Sequence, residues 1–235
     1  MKTILCTTAA LALAATLAVP ASAQVSGIGV ADPAVVIAGS KALQAAYTQM
    51  TTTFQAQRTQ LEQLDQQRIA ILKKFDTNND GKLDPAEQKA AQVTTNPNHK
   101  QLEAVEDQIT KVQAPVNLAG AYAVQEIAQQ LSPAVQQVVS QGSVQLILPS
   151  NGVLYASDSA NITAKIIAAL DQRLPSVSIT PPAGWQPDQG TIQLFQDVQQ
   201  VRIAAAQRQQ QAQQQAAPAA QPQAKPGAAA PVKGR

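Results

Sequence analysis

A seven-residue repeat of apolar side chains runs from Lys41 to Phe75. Positions seven residues apart form two series offset by four, and eight of the ten positions are apolar. This spacing places one apolar stripe along a helix, as in the seam of a coiled coil. The opposite face is rich in Gln and Thr, which favours a helical hairpin but leaves open an amphipathic helix on a globular core. The positions are Leu43, Met50, Gln57, Leu64 and Ile71, and Tyr47, Phe54, Leu61, Arg68 and Phe75.

A second apolar stripe, over Lys100 to Gln141, predicts a helix that runs back along the first one. Its apolar residues are spaced alternately by three and four, and the stripe resumes at Val124 with a shifted phase, as a four-residue insertion would cause. Pro115 and Pro133 each remove a backbone donor and are expected to kink this helix. A short helix over Pro85 to Gln92 is predicted between the two long ones.

Short apolar runs beside turn-forming residues predict a small sheet at the base of the hairpin. Gly27 to Ala31 forms such a run before the helical region. After the helices, Ser143 to Leu148 and Gly152 to Ala156 predict two strands joined by a turn at residues 149–151.

A final amphipathic helix is predicted over Asn161 to Arg173, capped by Asp158 or Ser159 and ended by Pro175. Together these elements predict a mainly α fold with a small β-sheet, an α+β arrangement. In it a long helical coiled-coil hairpin projects from a small strand body. The residues expected to face inward from the final helix are Ile162, Ile166, Ile167 and Leu170.

The first 23 residues resemble a secretory signal peptide. Lys2 provides the positive start, an apolar core follows, and Ala21-Ser22-Ala23 is a small-residue cleavage site. The apolar run is too short for a permanent membrane span. The protein is therefore predicted to be exported and to lie in the periplasm, with residues 24–175 as its folded domain.

The segment after Pro175 is predicted to have two parts. Residues 176–203 indicate a linker and a short helix, and Trp185 in the linker is expected to pack on the body. Residues 204–235 are rich in Gln, Ala and Pro, which predicts a disordered tail. The apolar positions of the short helix are Ile192, Phe195, Val198 and Val201.

Composition and charge exclude several classes of function. The net charge is +2, but it is unevenly placed. From Val201 onward there are five basic residues and no acid, and Lys2 lies in the predicted signal peptide. Gln24 to Gln200 therefore has 11 basic and 15 acidic residues and carries −4. Basic residues do not cluster with aromatic ones, so no nucleic-acid partner is expected. The only cysteine, Cys6, lies in the predicted signal peptide, and the only histidine, His99, is expected to be a solvated turn residue. With no nucleophile–base–acid set and no Gly-rich phosphate loop, the chain is not expected to be an enzyme.

One polar stretch, Asp76 to Glu87, has the ligand spacing of a calcium-binding EF-hand loop. Numbered one to twelve, it carries oxygen side chains at one, three, five and nine, glycine at six and glutamate at twelve. Calcium is a hard cation that takes six to eight oxygen ligands, and Gly81 would supply the sharp turn. The expected Ca²⁺ ligands are Asp76, Asn78, Asp80, Lys82 through its carbonyl oxygen, Asp84 and Glu87.

The alternative interpretation of this stretch is a polar turn between two helices, since Asp, Asn and Gly favour turns. Such a turn needs neither acids at positions one and five nor a glutamate at twelve, so calcium is the favoured prediction. EF-hands usually occur in pairs, and the chain has no second such loop. A single loop indicates modest affinity or a structural role.

The closing segment of the domain combines Val144 to Leu148, Gly152 to Tyr155, a Ser-Asp turn at Ser157-Asp158, and Ile162-Thr163 at the start of a helix. In these features it resembles the closing segment of the Skp/OmpH family of periplasmic chaperones for outer-membrane proteins. The order of signal peptide, strand, long helical hairpin, two strands and helix is also similar. This resemblance covers roughly Ile28 to Leu174.

The resemblance implies a homotrimer whose chains join their small sheets and whose hairpins surround a cavity for unfolded clients. It therefore implies a holdase for unfolded outer-membrane proteins, with a possible peripheral contact to the outer or inner membrane surface. Three features depart from the family: the EF-hand loop near the hairpin tip, the mildly acidic body and the tail after Pro175. The alternative function is a calcium-binding structural or signalling envelope protein without chaperone activity.

Overall fold

The structure of the protein is a computed structural model that describes residues 27–216. The predicted signal peptide and residues 217–235 of the expected tail lie outside this range. Within it, the chain is mostly helical with one small sheet, as the periodicity predicts. The elements are β1 (Ile28–Val30), α1 (Pro33–Gly39), α2 (Lys41–Thr53), α3 (Gln55–Leu72), α4 (Pro85–Ala91), α5 (Pro97–Gln129), α6 (Leu131–Gln141), β2 (Leu146–Leu148), α7 (Thr163–Arg173) and α8 (Gln189–Ala216).

The sheet consists of two parallel strands, because the whole helical hairpin lies between β1 and β2 in the chain. Ile28 pairs with Leu146 and Val30 with Leu148. On its other side β1 is covered only at its last residue, where Val30 forms a bridge to Asn161 and its carbonyl accepts from the N–H of Ile162 at 3.0 Å. Within residues 27–216, the other side of β2 is unpaired along its whole length.

The predicted strand over Gly152 to Ala156 is wrong for the single chain. A 3-10 turn at Ser150–Gly152 follows β2 and redirects the backbone, so no hairpin with β2 forms. Leu154 and Tyr155 are almost fully exposed, at 105% and 85%. The segment has apolar strand-forming residues but no partner within its own described chain.

The apolar seven-residue repeat is buried as predicted. Five of its ten positions are buried and the other five are partly buried, which includes the two polar ones. The two helices α2 and α3 are separated only at Phe54, and α3 packs along α5. The supercoil of a coiled coil stays a prediction. The buried positions are Leu43, Met50, Leu64, Ile71 and Phe75.

Arg68 is the charged residue within this repeat, and its Nε is buried with no hydrogen-bond partner. Its guanidinium contacts Asp65 at 2.6 Å, but both side chains of this pair are partly exposed, so the pair contributes little to the free energy of unfolding. We expect Arg68→Leu to raise the free energy of unfolding by about 1 kcal/mol, because it removes an unsatisfied donor and extends the apolar stripe. The midpoint of thermal unfolding should rise by about 2–4 °C.

The control for Arg68→Leu is Gln57→Leu, at the other polar position of the repeat. Gln57 is partly buried but has no orphaned buried atom among the described residues. A smaller gain is therefore expected there. Thermal and urea unfolding measure both variants, and a loss of stability in Arg68→Leu would contradict the argument.

The returning helix is interrupted at one of the two expected places. Helix α5 continues through Pro115, whereas the chain breaks at Gln130, shortly before Pro133. Pro133 then lies in the first turn of α6, where a missing backbone donor costs little. His99 was expected to be a solvated turn residue, but it lies in the first turn of α5, partly buried, with Nδ1 2.8 Å from the Ala91 carbonyl oxygen.

The final predicted helix corresponds to α7, and its inward face is largely as expected. Ile162, Ile166 and Leu170 are buried and Ile167 is partly buried. The predicted cap is wrong, because the N-cap residue is Ile162, which has no side-chain cap, and Asp158 begins a separate 3-10 turn. The side chain of Asn161, just before the N-cap, accepts from the N–H of Thr163 at 3.0 Å. These side chains join α1, α5, α6 and α8 in the main core.

Helix α8 is much longer than the predicted short helix. It has 28 residues and runs beyond Ala204, where the tail was expected to begin. Its contacts are with α1 and α5; Val198 is fully buried, but Ile192 is exposed. The linker before it also packs on the body, as predicted, since the Trp185 ring lies edge-to-face 5.1 Å from that of Tyr122.

Asp188 fixes the start of α8, and its carboxylate accepts from the N–H of Thr191 at 2.6 Å. This bond and one from the Thr191 hydroxyl hold the pKa of Asp188 below its usual 3.8. The carboxylate therefore stabilises the fold above about pH 3.8, and this contribution is lost as the pH falls through the lower folded-state pKa. We expect the wild type to lose some stability in acid that Asp188→Asn does not lose. The reason is that Asn can still cap the helix but has no carboxylate to be protonated.

Circular dichroism over a pH series, compared between the wild type and Asp188→Asn, measures this component. Asp197→Asn, farther along α8, is the control, and its acid unfolding should match that of the wild type. Identical curves for all three proteins would contradict the assignment.

Candidate functional site

The predicted metal loop lies at the tip of the helical hairpin, between the end of α3 and the start of α4. It is held by a small apolar cluster, which we call the tip core: Leu64, Ile71, Phe75, Ala91 and Val105. Phe75 directly precedes the loop and is 4% exposed, and Leu83 at loop position eight packs against the cluster. The two apolar residues thus fasten both ends of the loop to the hairpin.

The backbone of the loop takes left-handed conformations at two positions. Asn79 has φ of +57° and Gly81 has φ of +79°. Asn tolerates this region through local hydrogen bonding, and glycine enters it without a steric penalty. A Cβ at Gly81 would contact nothing within 4 Å, so the requirement for glycine comes from the backbone angle alone.

The first three predicted ligands are brought together around the same backbone groups. Asp76 accepts from the N–H of Asp80 at 3.2 Å and from that of Gly81 at 2.9 Å. The side-chain oxygen of Asn78 accepts from the same Asp80 N–H at 2.9 Å, and Asp80 accepts from the N–H of Lys82 at 2.8 Å. These bonds turn the oxygens of positions one, three and five towards the interior of the loop.

The last two predicted side-chain ligands serve the start of α4. Asp84 accepts from the N–H of Glu87 at 2.9 Å, and Glu87 accepts from the N–H of Asp84 at 3.1 Å, which is a capping box. The other carboxylate oxygen of Glu87 accepts from the N–H and the hydroxyl of Thr77, each at 2.7 Å. Glu87 is 5% exposed. Through these bonds it joins the second position of the loop, Thr77, to the ninth, Asp84, and so closes the loop.

The hydrogen bonds at Glu87 favour its ionised form. The Thr77 hydroxyl contributes most and the N–H of Asp84 next, and together with weaker backbone bonds they hold the pKa of Glu87 below its usual 4.5. Burial opposes this but is outweighed. The side chain is therefore a carboxylate at neutral pH, whether or not a cation is bound.

The described chain does not gather the predicted ligands into one shell. Among residues 27–216, no three His, Cys, Asp or Glu side chains lie close enough together to hold a metal ion. Asp76, Asn78 and Asp80 are neighbours, but Glu87 is turned towards Thr77. A shell of six would require the Glu87 carboxylate to rotate from Thr77 towards the first half of the loop.

The donor chemistry of the loop nevertheless fits a hard cation. Its four carboxylates accept only from backbone N–H groups and from Asn or Thr side chains among the described residues, so no described basic side chain neutralises them. Each carboxylate offers about four lone-pair sites, which leaves free capacity after these bonds. Calcium accepts such oxygens in variable geometry.

A groove beside the loop was not predicted from the sequence. It has a volume of about 570 Å³ and lies between the end of α3 and the loop, up to loop position eight. Ile69, Leu72 and Leu83 provide its apolar surface, and its charged residues are Lys73, Asp76 and Lys82. The signal for it was Ile69 and Leu72, two apolar residues that lie outside the seven-residue repeat and are therefore not needed for the seam.

The fold places the chain in a class of mainly helical proteins in which a helical hairpin is joined to a small sheet. The family model described as "Outer membrane protein (OmpH-like)" matches residues 27–170, which is more than half of the chain. The chain therefore belongs to the OmpH-like family. The match ends within α7, so α8 lies outside it.

One solved structure is also similar. It is described as that of a candidate outer membrane chaperone (OmpH-like) from Caulobacter crescentus CB15, with 18% sequence identity and a TM-score of 0.41. The similarity covers 65% of the present chain and 88% of that one. A search of curated proteins gives no match.

Proposed function

We propose that the protein is a periplasmic holdase that keeps unfolded outer-membrane proteins soluble, and that its tip loop binds calcium. The observation that carries the chaperone proposal is family membership over residues 27–170, which includes the whole helical hairpin and the sheet. The periplasmic location rests on the same membership and on the sequence of residues 1–23. Among residues 27–216, no helix combines the length and the hydropathy that a membrane crossing requires.

Exposed apolar side chains on the distal part of the hairpin support the chaperone proposal. Ile69 at the end of α3 is 38% exposed, and Val93, after α4, is 46% exposed. Together with the groove beside the loop they offer separate apolar contacts amid polar side chains. Scattered contacts of this kind suit a polypeptide without fixed structure, whereas one large apolar patch would favour self-aggregation.

We propose that three chains assemble through their sheets. The support is the pairing of two unsatisfied features: the open edge of β2 and the strand-forming segment Val153 to Ala156, which has no partner in its own described chain. A sheet of two three-residue strands is too small to be stable alone. If the segment of one chain pairs with β2 of the next, three such contacts close a ring and leave no strand edge open.

We also propose that calcium orders the tip. The residues that would hold it are Asp76, Asn78, Asp80, the carbonyl oxygen of Lys82, Asp84 and Glu87. Bound calcium would cancel the repulsion among the four carboxylates. Because Glu87 must exchange its bonds to Thr77 for the cation, part of the binding energy is used in the rearrangement, and affinity in the weak extracellular range of about 10⁻⁴–10⁻³ M is expected.

The chaperone proposal is tested by diluting a denatured outer-membrane barrel protein into buffer with the purified mature chain and recording light scattering. We expect aggregation to be suppressed without ATP. The double variant Ile69→Asp, Val93→Asp should lose much of this effect. Ile203→Asp is the matched control, because Ile203 is exposed to 57% but lies on α8, away from the tip.

Equal scattering with and without the wild-type protein would favour the second candidate function, a calcium-binding structural or signalling protein of the envelope. That candidate is favoured by one specific feature, the loop spacing of Asp76 to Glu87. The two functions are separable because client binding and calcium binding are measured independently.

A further inference from the structure

A second groove lies on the body of the protein, between α1, α7 and α8. We call it the α8 groove; its volume is about 400 Å³, which is within the range of small-molecule sites. Its lining is almost entirely apolar, and four of the residues are very small: Ala38, Gly39, Ala204 and Ala205. Val35 at its rim is 38% exposed. The groove exists only because α8, which lies outside the family match, packs beside α1.

The small side chains leave apolar space between α1 and α8. At Gly39 a Cβ would lie 2.8 Å from Cδ1 of Ile167, so α1 and α7 are in close contact there and bound one side of the groove. An apolar groove of this volume can hold a hydrocarbon chain.

The charged residues of the groove are both arginines, and both belong to α8. Arg202 is held in place by Tyr47, since its guanidinium carbon lies 3.3 Å from the centre of that ring. Arg208 is about one and two-thirds turns farther along, about 9 Å in axial distance. No acid lines the groove, and among residues 27–216 neither arginine forms a salt bridge.

The charge of the chain also limits what can occupy the groove. From Val201 to the end there are five basic residues and no acid. The chain's own tail, residues 217–235, would therefore bring like charge to the two arginines. An anionic occupant is favoured instead, because guanidinium groups form charge-assisted, bidentate hydrogen bonds with carboxylates.

We propose that the α8 groove binds the acyl chain of a free long-chain carboxylate, with the carboxylate held by Arg208, since the Arg202 guanidinium is stacked on Tyr47. The α8 groove would bury the methylene groups of the acyl chain, and each methylene buried should raise the affinity about fourfold. The site is separate from the hairpin, so it is independent of the chaperone and calcium proposals. It gives α8 a function that the OmpH-like part of the chain does not supply.

The test is calorimetric titration of the mature chain with dodecanoate below its micelle concentration, with decanoate and dodecyl maltoside as comparisons. We expect saturable binding of dodecanoate and roughly 15-fold weaker binding of decanoate, which lacks two methylenes. Dodecyl maltoside has the same chain but no charge and should bind at least about tenfold more weakly.

Two variants locate the binding site. Ala205→Leu fills the channel from an exposed helical position and should abolish binding, whereas Arg208→Gln should weaken it at least about tenfold. Arg173→Gln is the matched control, since Arg173 ends α7 and does not line the groove. Circular dichroism checks that each variant is folded.

The proposal would be overturned if dodecanoate showed no saturable binding, if the neutral detergent bound equally well, or if both Ala205→Leu and Arg208→Gln kept wild-type affinity. Cosedimentation with anionic phospholipid vesicles in the absence of dodecanoate binding would also overturn it, because the arginines would then serve a membrane surface. The remaining occupant to test is a second copy of this chain. If dodecanoate displaces a second copy in sedimentation, the groove is a subunit contact, and the proposal is overturned.

Discussion

Replacing Leu154 and Tyr155 with serine is expected to convert a trimeric protein into folded monomers. The two side chains are exposed to 105% and 85% in the single chain, so their removal costs the monomer almost nothing. In the proposed trimer each chain would bury them against the sheet of its neighbour. Burial of two large apolar side chains contributes about 3 kcal/mol or more per contact, so the association constant should fall by more than about 100-fold.

The reason to expect the contact at this position is the geometry of the sheet. β1 is paired with β2 on one side and bridged to Asn161 at Val30 on the other, whereas β2 is paired on one side only among the described residues. Leu146 on β2 is 50% exposed, although β2 consists only of apolar residues, as a strand in a protein core does. A strand added by a neighbouring chain would satisfy the edge of β2 and cover this residue.

Sedimentation velocity at micromolar concentration measures the effect. The matched control is Ile203→Ser, which removes an exposed apolar side chain from α8, away from the sheet. The control should sediment as the wild type does. A wild-type chain that is already a stable folded monomer, or a double variant that still forms trimers, would contradict the assembly.

The sequence was sufficient to predict those elements whose side chains pack within one chain. The stripe from Leu43 to Phe75 is buried at five of its ten positions, and α7 has its inward face where the periodicity places it. Helical periodicity succeeds here because the burial it reports is intramolecular. The same pattern could not show the break at Phe54, which depends on local backbone angles, and the break at Gln130 was predicted from Pro133 and not from the periodicity.

The predictions are wrong where the local structure depends on contacts with other elements, which the periodicity of the sequence does not report. Gly152 to Ala156 has the composition of a strand, but a strand also needs a partner edge, and its own chain offers none. The opposite error was made for α8, whose second half is too poor in apolar residues to fold alone but continues a helix anchored by Val198 and by the bond from Gln199 to the Tyr47 hydroxyl at 2.6 Å. His99 was misplaced because the Ala91 carbonyl that it contacts is supplied by another helix.

At the candidate site, two roles require the same residue types at the same spacing. Positions nine and twelve of an EF-hand loop are Asp84 and Glu87, and these are also the first and last positions of the α4 capping box. An acid followed three residues later by a glutamate therefore satisfies either role. The sequence predicts that Asp84 and Glu87 matter, but not which role they have, and the described geometry uses them as a cap.

Glu87→Gln separates the two roles and is expected to abolish calcium binding while the hairpin stays folded. Glutamine keeps one acceptor oxygen, so it can retain the capping box with Asp84, while its amide NH2 can donate to the Thr77 hydroxyl oxygen in place of the bonds that Glu87 accepts from Thr77. It loses the negative charge and the bidentate closure that calcium requires at this position. Asp84→Asn is a weaker test, because it changes a position where the ligand often acts through water.

Calorimetric titration with calcium up to millimolar concentration decides between the roles, with helix content followed by circular dichroism. The wild type should bind with a Kd of about 10⁻⁴–10⁻³ M. Glu106→Gln, an exposed charge-removing change on α5, is the matched control and should bind calcium as the wild type does. Equal heats for Glu87→Gln and the wild type, or no heat from the wild type at millimolar calcium, would leave Asp76 to Glu87 as a capped polar turn at the hairpin tip.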